Sequence, residues 1–347
     1  MPKSSIYLDH AATTPILPQV QDAICEGMRE WANPSSQHGS GRMARAALEA
    51  ARERVKKALD WPGEVIFTAG ATEALAIGYT RAQALRRAVG SVEHSAVTRL
   101  ADQNGAERDT VIPVDRLGRV DPTALPSVDL IAVQQVNNET GVIQPALGEA
   151  IRGKGAIWLA DCAQGAGKLA LPDADMIAIA GHKIGAPPGI GALLLRNFGL
   201  IQPSGGQERG YRAGTENLPY ILGLATALEA DRSWLLSAAV LRSWFEDEIR
   251  DMGGEVIGEG AERIATIGAY RLPGVNATTL LIRADMAGIA ISSGSACSSG
   301  SLKPSPVILA MGRSEEEARE VFRVSIGRGT TRDDLAALLK VLRGLRR

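Results

Sequence analysis

The sequence predicts an α/β protein with a mostly parallel mixed sheet between helices, and two features of the chain support this prediction. Between Glu64 and Arg196, short runs rich in β-branched residues alternate with segments of helical periodicity. Several of the short runs are apolar throughout, which is typical of strands that helices cover on both faces. Strands that alternate with helices favour parallel pairing, because each crossover helix returns the chain to the same edge of the sheet.

The strand candidates are EVIFTAG, TVIPVD, DLIAVQQV, AIWLADC, MIAIAGH and GALLLR. The helix candidates in the same region include RMARAALEAARERVKKAL and EALAIGYTRAQALRRA. The segment LRRAVGSVEH leaves little room for a strand before His94. After Pro219 the chain becomes helical, and the segment from Ile221 to Gly254 is too long for one ordinary helix. We therefore expect a bent helix or a helix pair there, leading into a second, smaller α+β domain.

The composition narrows the class of protein. The chain has 347 residues, 45% hydrophobic and 22% charged, which suits a globular enzyme of about two domains. Its formal net charge of -1 provides no basic field, so we expect no nucleic-acid partner. The chain has only three cysteines, an odd and small number that argues against a disulfide framework and favours a reducing compartment. Because no CxxC pair occurs, we expect no zinc or iron–sulfur site built from this chain alone. Because no apolar stretch approaches membrane-spanning length, we expect a cytoplasmic protein without a membrane partner.

Polar side chains follow several of the predicted strands. In parallel sheets, functional groups gather at the carboxyl ends of the strands. Thr72 and Glu73, Asn138, Asp161, and the pair His182–Lys183 all fall at such ends. The sequence therefore predicts one site built from these residues.

Two of these residues have an ordinary interpretation and a chemical one. Lys183 could be a solvated lysine after the strand, or an amine at a cleft that forms a covalent bond with a carbonyl group. Asp161 could cap a helix, or it could pair with the pyridinium nitrogen of pyridoxal phosphate (PLP). Since both residues end successive strands, their side chains can reach the same ring from one sheet edge.

Three other motifs are weaker when taken singly. AGATEA, from Ala69 to Ala74, opens a helix after a strand and can bind a phosphate group or simply form a capping turn. His94 can be structural, or it can stack on a cofactor ring and move protons. GAGKLA lacks the first P-loop glycine and the Ser/Thr after Lys168, so no nucleotide is expected there.

Together the motifs resemble the cysteine desulfurase family, within the class V aminotransferase-like, fold-type I PLP enzymes. The resemblance extends over nearly the whole chain. Each motif is short, but the order in which the motifs follow one another is specific to the family. It rests on YLDHAATTP, NPSSQHGSGR, FTAGATEA, EHSAV, VNNETGVIQP, DCAQGAGK, GHKIGAPPGIGAL, GGQERGYRAGTEN, SSGSACSSGSLKPS and RVSIGRGTT. The SSGSAC segment is similar to that of the NifS/IscS-like group. The resemblance implies a large PLP-binding domain at 15–235 and a small domain formed by 1–14 and 236–347.

The resemblance also implies roles for individual residues. Lys183 would hold PLP covalently, Asp161 would pair with its ring nitrogen, and His94 would stack on the ring as an acid/base group. The remaining implied cofactor contacts are Asn138 and Gln164 near the phenolic oxygen, and Ala71, Thr72 and His182 at the phosphate. Thr215 would add a phosphate contact from the partner subunit, which implies a homodimer. Asn33 and Arg323 would bind the carboxylate of the substrate.

The Ser/Gly-rich segment from Ser292 to Ser301 contains Cys297, which has little around it in sequence to bury it. By resemblance, Cys297 attacks the sulfur of PLP-bound L-cysteine, which yields alanine and a persulfide on Cys297. That sulfur would pass to an acceptor protein for iron–sulfur cluster or other thio-cofactor synthesis. A segment with few bulky side chains suits a thiol that must both react and deliver sulfur. Cys25 is expected to pack within a helix, and Cys162 to be buried beside the cofactor.

Two departures from the family pattern stand out. Family members usually carry a phosphate-binding serine where this chain has Ala180, and the chain ends without the C-terminal extension that docks a scaffold protein in IscS-like members. Two alternative functions therefore stay open from the sequence. One is a class V aminotransferase or selenocysteine lyase on the same scaffold. The other is a non-catalytic homologue that regulates or scaffolds another desulfurase.

Overall fold

The computed structural model describes residues 6–29, 32–103, 109–293 and 304–345. The helices are α1 (Pro18–Arg29), α2 (Gly39–Ala58), α3 (Ala71–Arg81), α4 (Ser95–Gln103), α5 (Gly148–Arg152), α6 (Leu218–Glu229), α7 (Trp234–Asp251), α8 (Ala277–Met286), α9 (Pro306–Ala310), α10 (Glu315–Arg319) and α11 (Arg332–Leu345). The strands are β1 (Ile6–Tyr7), β2 (Glu64–Thr68), β3 (Arg87–Gly90), β4 (Asp109–Ile112), β5 (Leu130–Ala132), β6 (Ile157–Asp161), β7 (Met176–Ala180), β8 (Gly191–Leu195), β9 (Glu255–Val256), β10 (Ile267–Arg271), β11 (Ile289–Ala290) and β12 (Val321–Ser325). None of the described helices is long and apolar enough to cross a membrane.

A seven-stranded sheet forms the centre of the larger part of the molecule. Its strand order is β2-β8-β7-β6-β5-β3-β4, and β8 runs antiparallel to both of its neighbours while the other pairings are parallel. The sheet is therefore mostly parallel and mixed, as the sequence predicts. Strands β7 and β8 are buried along their whole length, which explains why their sequences are apolar throughout.

Helices cover both faces of this sheet. One buried cluster packs residues of α1, α2 and α6 against one face, and a second packs α3 and α4 against the other. Within α2 the buried positions Ala44, Leu48, Ala51 and Val55 recur at three- and four-residue spacing, which is the pattern of a helix that buries one stripe. Helices on both faces of one sheet give the three-layer α/β architecture expected for alternating strands and helices.

A smaller part of the molecule has its own buried core. The three-stranded antiparallel sheet β12-β10-β9 packs with α7, α8 and α11, and its core includes Phe245, Tyr270 and Phe322. Leu8 belongs to this core, because β1 pairs in parallel with β11. The long helical segment after Pro219 is a helix pair, α6 and α7, as expected from its length.

Two details of the sequence prediction are wrong. The helix expected over EALAIGYTRAQALRRA ends at Arg81, and Arg87–Gly90 forms β3, for which the sequence left little room. The reason is a tertiary contact. The amides of Leu85 and Arg86 donate to Oδ2 of Asp129, at 2.9 and 2.8 Å, which fixes a turn where the local sequence would continue the helix.

Candidate active site

A cavity of about 740 Å³ lies at the carboxyl ends of β6 and β7. Its size is within the roughly 300–1,000 Å³ typical of small-molecule sites. Nine of the residues that the sequence singles out line it together: Ala71, Thr72, His94, Asn138, Asp161, Gln164, His182, Lys183 and Arg323. The sheet edge thus brings most of the predicted site into one space.

Lys183 and Asp161 reach the cavity from adjacent parallel strands. Asp161 is the last residue of β6, and Lys183 ends the short 3-10 turn Gly181–Lys183 that follows β7. The Asp161 side chain is only 7% exposed, and Oδ1 accepts a hydrogen bond of 2.9 Å from the amide of Ala163. Burial raises the pKa of this carboxyl, although His94 and Lys183 act in the opposite direction. A buried carboxylate in this position is suited to a cationic partner inside the cavity.

Gln164 and His94 present polar edges to the same space. Nε2 of Gln164 donates to the carbonyl of Ala11 at 2.9 Å, whereas its buried Oε1 has no hydrogen-bond partner among the described residues. Nδ1 of His94 accepts from the amide of Ala96 at 3.1 Å, where α4 begins. An unpartnered buried oxygen is unfavourable by about 1–3 kcal/mol, so Gln164 is prepared for a donor group of a ligand.

The N-terminus of α3 forms another wall. Ala71 and Thr72 open this helix, whose first amides are not used within it and can face an anion. Gly191 in β8 permits the close approach of this turn, since a Cβ there would lie 2.7 Å from the backbone of Gly70. Ala180 also lines the cavity, at the position where the family pattern has a serine, so no hydroxyl is available from it.

His182 is held beside this wall. Its Nδ1 lies 3.3 Å from Oγ1 of Thr13, and burial together with the charge of Lys183 lowers its pKa to about 4. The His182 imidazole is therefore neutral near neutral pH. A neutral ring can donate one hydrogen bond to an anionic group without adding a charge of its own.

Arg323 extends into the cavity from β12, in the smaller part of the molecule. Its Nη2 donates to Oδ1 of Asp9 at 2.7 Å and its Nη1 to the carbonyl of Asn138 at 2.8 Å. The residue is 4% exposed, and Nε has no partner among the described residues. Asp9 is a functional candidate that the sequence reasoning did not single out, although it lies in the motif YLDHAATTP.

The segment around Ala11 joins these groups. The carbonyl of Ala11 accepts from Nζ of Lys183 as well as from Gln164, and the amide of Ala11 donates to Oγ of Ser325 at 2.9 Å. Further along, the amide of Thr14 donates to the carbonyl of His182 at 2.8 Å. Residues 9–14 therefore contact the strand ends of the large sheet and β12 at once.

Three predicted site residues are not in the cavity as the structure describes it. Asn33 and Thr215 are exposed and do not line it, although Oδ1 of Asn33 accepts from the amide of Ser35 at 2.9 Å. The segment with Cys297 lies outside the described residues. Their roles stay predictions.

The other two cysteines differ from each other in environment. Cys25 is exposed on α1, so the expectation that it packs within the helix is wrong; the buried face of α1 consists of Val20, Ile24 and Gly27 instead. Cys162 is buried in the large core as expected, and burial raises the pKa of its thiol well above the usual value. Neither environment supplies a reactive thiolate in a cleft.

Comparisons with known proteins agree with this site. The aminotransferase class-V family model matches residues 6–338. A protein named cysteine desulfurase, from Rhodobacter capsulatus, is 35% identical over 373 residues, covering 99% of this chain and 96% of that protein. The X-ray structure of a NifS-like protein from Rickettsia africae ESF-5 has a TM-score of 0.89 and 28% identity, covering 99% of both chains. A structure described as SspA in complex with cysteine has a TM-score of 0.80 and 28% identity, covering 94% of this chain and 99% of that one.

Proposed function

The chain belongs to the aminotransferase class-V family, and on this premise we propose that it is a PLP-dependent cysteine desulfurase that converts L-cysteine to L-alanine. The observation that carries the proposal is the meeting of Lys183, Asp161 and Arg323 in one cavity. An amine, a buried carboxylate and a buried guanidinium are the groups that a PLP enzyme needs for an amino-acid substrate. The similar protein from Rhodobacter capsulatus is named for this activity, and the SspA structure is described as a complex with cysteine.

The residues of the cavity fit PLP. Lys183 would supply the amine for covalent attachment, and Asp161 would pair with the protonated ring nitrogen. Oε1 of Gln164, which has no partner among the described residues, would accept a hydrogen bond from the ligand. Ala71 and Thr72 at the start of α3, together with His182, would supply donors for the phosphate. By the family resemblance, Asn138 would contact the phenolic oxygen and His94 would stack on the ring; both residues line the cavity. When bound, PLP supplies an electron sink for the pair released at the α-carbon of the amino acid.

The chain's own groups then bind the substrate and move its protons. Arg323 pairs with the carboxylate of L-cysteine, with Asn33 as a second contact. The imidazole of His94 and the amine of Lys183 take up and return protons at the α-carbon and β-carbon. These assignments follow from the family resemblance and from the side chains that face the cavity.

Cys297 is the sulfur acceptor in this proposal. Its thiolate attacks Sγ of L-cysteine, a sulfur–sulfur bond forms, and the bond between Cβ and Sγ breaks. The electron pair of that bond remains with the carbon fragment, which gains protons to become L-alanine. The net reaction is L-cysteine plus the Cys297 thiol giving L-alanine plus a persulfide on Cys297, so that carbon is reduced and sulfur is oxidised without an external oxidant.

The wider setting is also part of the proposal. We infer a homodimer in which Thr215 of one subunit contacts the phosphate of the other, because Thr215 is exposed and away from its own cavity. We also infer a cytoplasmic protein that passes its sulfur to an acceptor protein for iron–sulfur cluster or other thio-cofactor synthesis. The domain division at 15–235, with 1–14 and 236–347 as the small domain, remains a proposal of the same kind.

The test uses the purified full chain with PLP bound. After brief exposure to L-cysteine without reductant, peptide mass mapping should show one added sulfur on the Cys297 peptide, with alanine in solution. Cys297→Ser should keep PLP bound but release no sulfide in the presence of a reductant. Cys25→Ser, which alters an exposed thiol on α1, is the matched control and should react as the original protein does. Full turnover in Cys297→Ser would refute the assigned role of this residue, and steady amino transfer to a keto acid would favour an aminotransferase instead.

A further inference from the structure

A second, much smaller cavity lies next to the first. Its volume is about 30 Å³, and Lys183 lines both cavities. Lys168, from the motif GAGKLA, lines it on the side of the large sheet, while Thr266 and Arg328 line it from the smaller part of the molecule. No acidic side chain is among the residues that line it in the described part of the chain. The cavity is therefore small and bordered by cationic side chains.

Two polar atoms of this cavity have no hydrogen-bond partner in the described part of the chain. They are Oγ1 of Thr266, a residue that is 2% exposed, and Nδ1 of His10. Leaving such a group buried and unpaired costs about 1–3 kcal/mol, which is usually avoided by a bound water or ion. Native unpaired groups that face a common space indicate that something occupies that space.

The charge of Lys168 is equally uncompensated. Burial and the neighbouring amine of Lys183 lower the pKa of Lys168 to about 7, and no carboxylate acts to raise it. Arg328 lies at the exposed side of the cavity, with its guanidinium carbon 5.3 Å from the ring centroid of Trp234. When the amine of Lys183 is bound to a cofactor, the cations left at this cavity are Arg328 and the protonated form of Lys168. A negative charge inside the cavity would thus face the ammonium of Lys168 and the guanidinium of Arg328, whose charge Asp231 partly offsets.

We propose that this cavity binds one small monovalent anion of halide size, such as chloride. The anion contacts the ammonium of Lys168 and accepts the hydroxyl proton of Thr266, which satisfies both groups at once. A volume of about 30 Å³ exceeds the roughly 10–15 Å³ that one water-sized sphere needs, so a single ion of halide size fits. The site goes beyond the proposed desulfurase activity and does not depend on it.

Anion binding should be linked to the protonation of Lys168. The titratable or charged groups that face Lys168 across the cavity are His10, Lys183 and Arg328. Burial and the charge of Lys168 lower the pKa of His10 to about 4, so His10 is neutral near pH 7 and adds no charge to the cavity. Arg328 stays protonated throughout. Because the anion favours the ammonium form of Lys168, affinity should fall as pH rises above about 7, by up to about ten-fold per pH unit.

The first test is direct observation of the anion. Crystals of the full chain grown in sodium bromide should show an anomalous bromide peak in the cavity between Lys168 and Thr266. In solution, the full chain should broaden the 35Cl NMR line of chloride, and this broadening should saturate as the chloride concentration rises. The chloride affinity fitted from it should fall between pH 6.5 and 8.5. A water molecule in the cavity at high bromide, with no anomalous signal, would overturn the proposal.

Two variants separate the site from unspecific effects. Lys168→Met should abolish the saturable 35Cl broadening, while Lys154→Met, at an exposed lysine, should leave it unchanged. Thr266→Val keeps the side-chain shape and should weaken binding by about ten- to one-hundred-fold, in line with the loss of one hydrogen bond to a charged group. If Lys168→Met does not fold, Thr266→Val carries the test alone. Equal anion affinity in Thr266→Val and the original protein would contradict the assigned contact.

Discussion

Two buried arginines of this molecule are paired with carboxylates in opposite ways. Arg52 on α2 makes two hydrogen bonds to Glu208, at 2.8 and 3.2 Å, and its Nε donates to Glu49 at 3.1 Å. Arg323 on β12 makes one bond to Asp9 and leaves Nε unpartnered among the described residues. Every nitrogen of the first guanidinium has a hydrogen-bond partner, whereas Nε of the second has none among the described residues. Saturation suits an arginine that holds two segments together, whereas unused donors suit one that binds a ligand.

The Arg52 pair also supports a strained segment of backbone. Glu208 and Arg209 have φ angles of 47° and 56°, a left-handed conformation that non-glycine residues rarely adopt. Oε2 of Glu208 accepts from the amide of Phe67 at 2.9 Å as well as from Arg52. The buried carboxylate therefore fixes the loop that leads to Thr215 against β2 and α2.

The largest expected effect concerns the saturated pair. Arg52→Met leaves the carboxylate of Glu208 buried without its cation, so we expect a loss of about 3–5 kcal/mol in the free energy of unfolding. Urea denaturation at pH 7 measures it. Arg54→Met, on the same helix but with an exposed ion pair to Glu229, should lose at most about 1 kcal/mol. Equal losses in the two variants would mean that burial does not distinguish the pairs.

The next effect concerns catalysis and not stability. Arg323→Lys replaces a planar fork by a point charge, so we expect kcat/KM for L-cysteine to fall by about 100-fold, or about 2.7 kcal/mol of transition-state stabilisation. Steady-state alanine production measures it. Arg319→Lys, at an exposed position of α10, should be unchanged. A fall in unfolding free energy that is as large as in Arg52→Met would instead place Arg323 among the structural arginines.

A smaller effect tests whether Asp9 competes with the substrate. Asp9→Asn keeps an oxygen near Nη2 of Arg323 but removes the negative charge. We expect KM for L-cysteine to fall by about five-fold with kcat changed less than about two-fold, because the substrate carboxylate no longer shares the guanidinium with Asp9. Initial rates over a range of L-cysteine concentrations separate the two constants. A rise in KM would show that Asp9 orients Arg323 more than it competes for it.

The smallest effect lies at Glu49, the second carboxylate that contacts Arg52. The side chain of Glu49 is 35% exposed, so its bond to Nε of Arg52 is screened by water. Glu49→Gln should therefore change the free energy of unfolding by no more than about 0.5 kcal/mol in the same urea experiment. Glu53→Gln removes a carboxylate that is more exposed and pairs with Lys56, and it serves as the reference for a surface ion pair. A loss above about 2 kcal/mol in Glu49→Gln would place Glu49 within the buried pair.

The residues of the large cavity show how much of the site could be predicted from the sequence. Lys183 and Asp161 were predictable, because each follows an apolar strand and the carboxyl ends of parallel strands meet at one edge. The pairing of Asp9 with Arg323 was not, since 314 residues separate them and no local pattern reports such a contact. For Arg323 itself, the family resemblance named a role, and the partner came from the structure.

The fold prediction failed where a distant carboxylate decides the local structure. The strand β3 follows a segment whose composition favours helix, and the turn before it is fixed by Asp129, 43 residues after Arg86. The exposure of Cys25 was missed for a related reason. Helix periodicity indicates that α1 has a buried face. Cys25 follows Ile24 of that face directly, and its side chain lies on the exposed side of the helix.

The position of Asp9 and Ala11 has a consequence for biosynthesis. Ala11 and Ser325, like Asp9 and Arg323, are hydrogen-bonded across 314 residues. At about 5–20 residues per second, a ribosome needs about 15 to 60 s to make that interval. During that time the carbonyl of Ala11 can meet Lys183 and Gln164, but Asp9 has no guanidinium to bind. The large sheet can therefore form while translation continues, and the site is completed only after β12 is made.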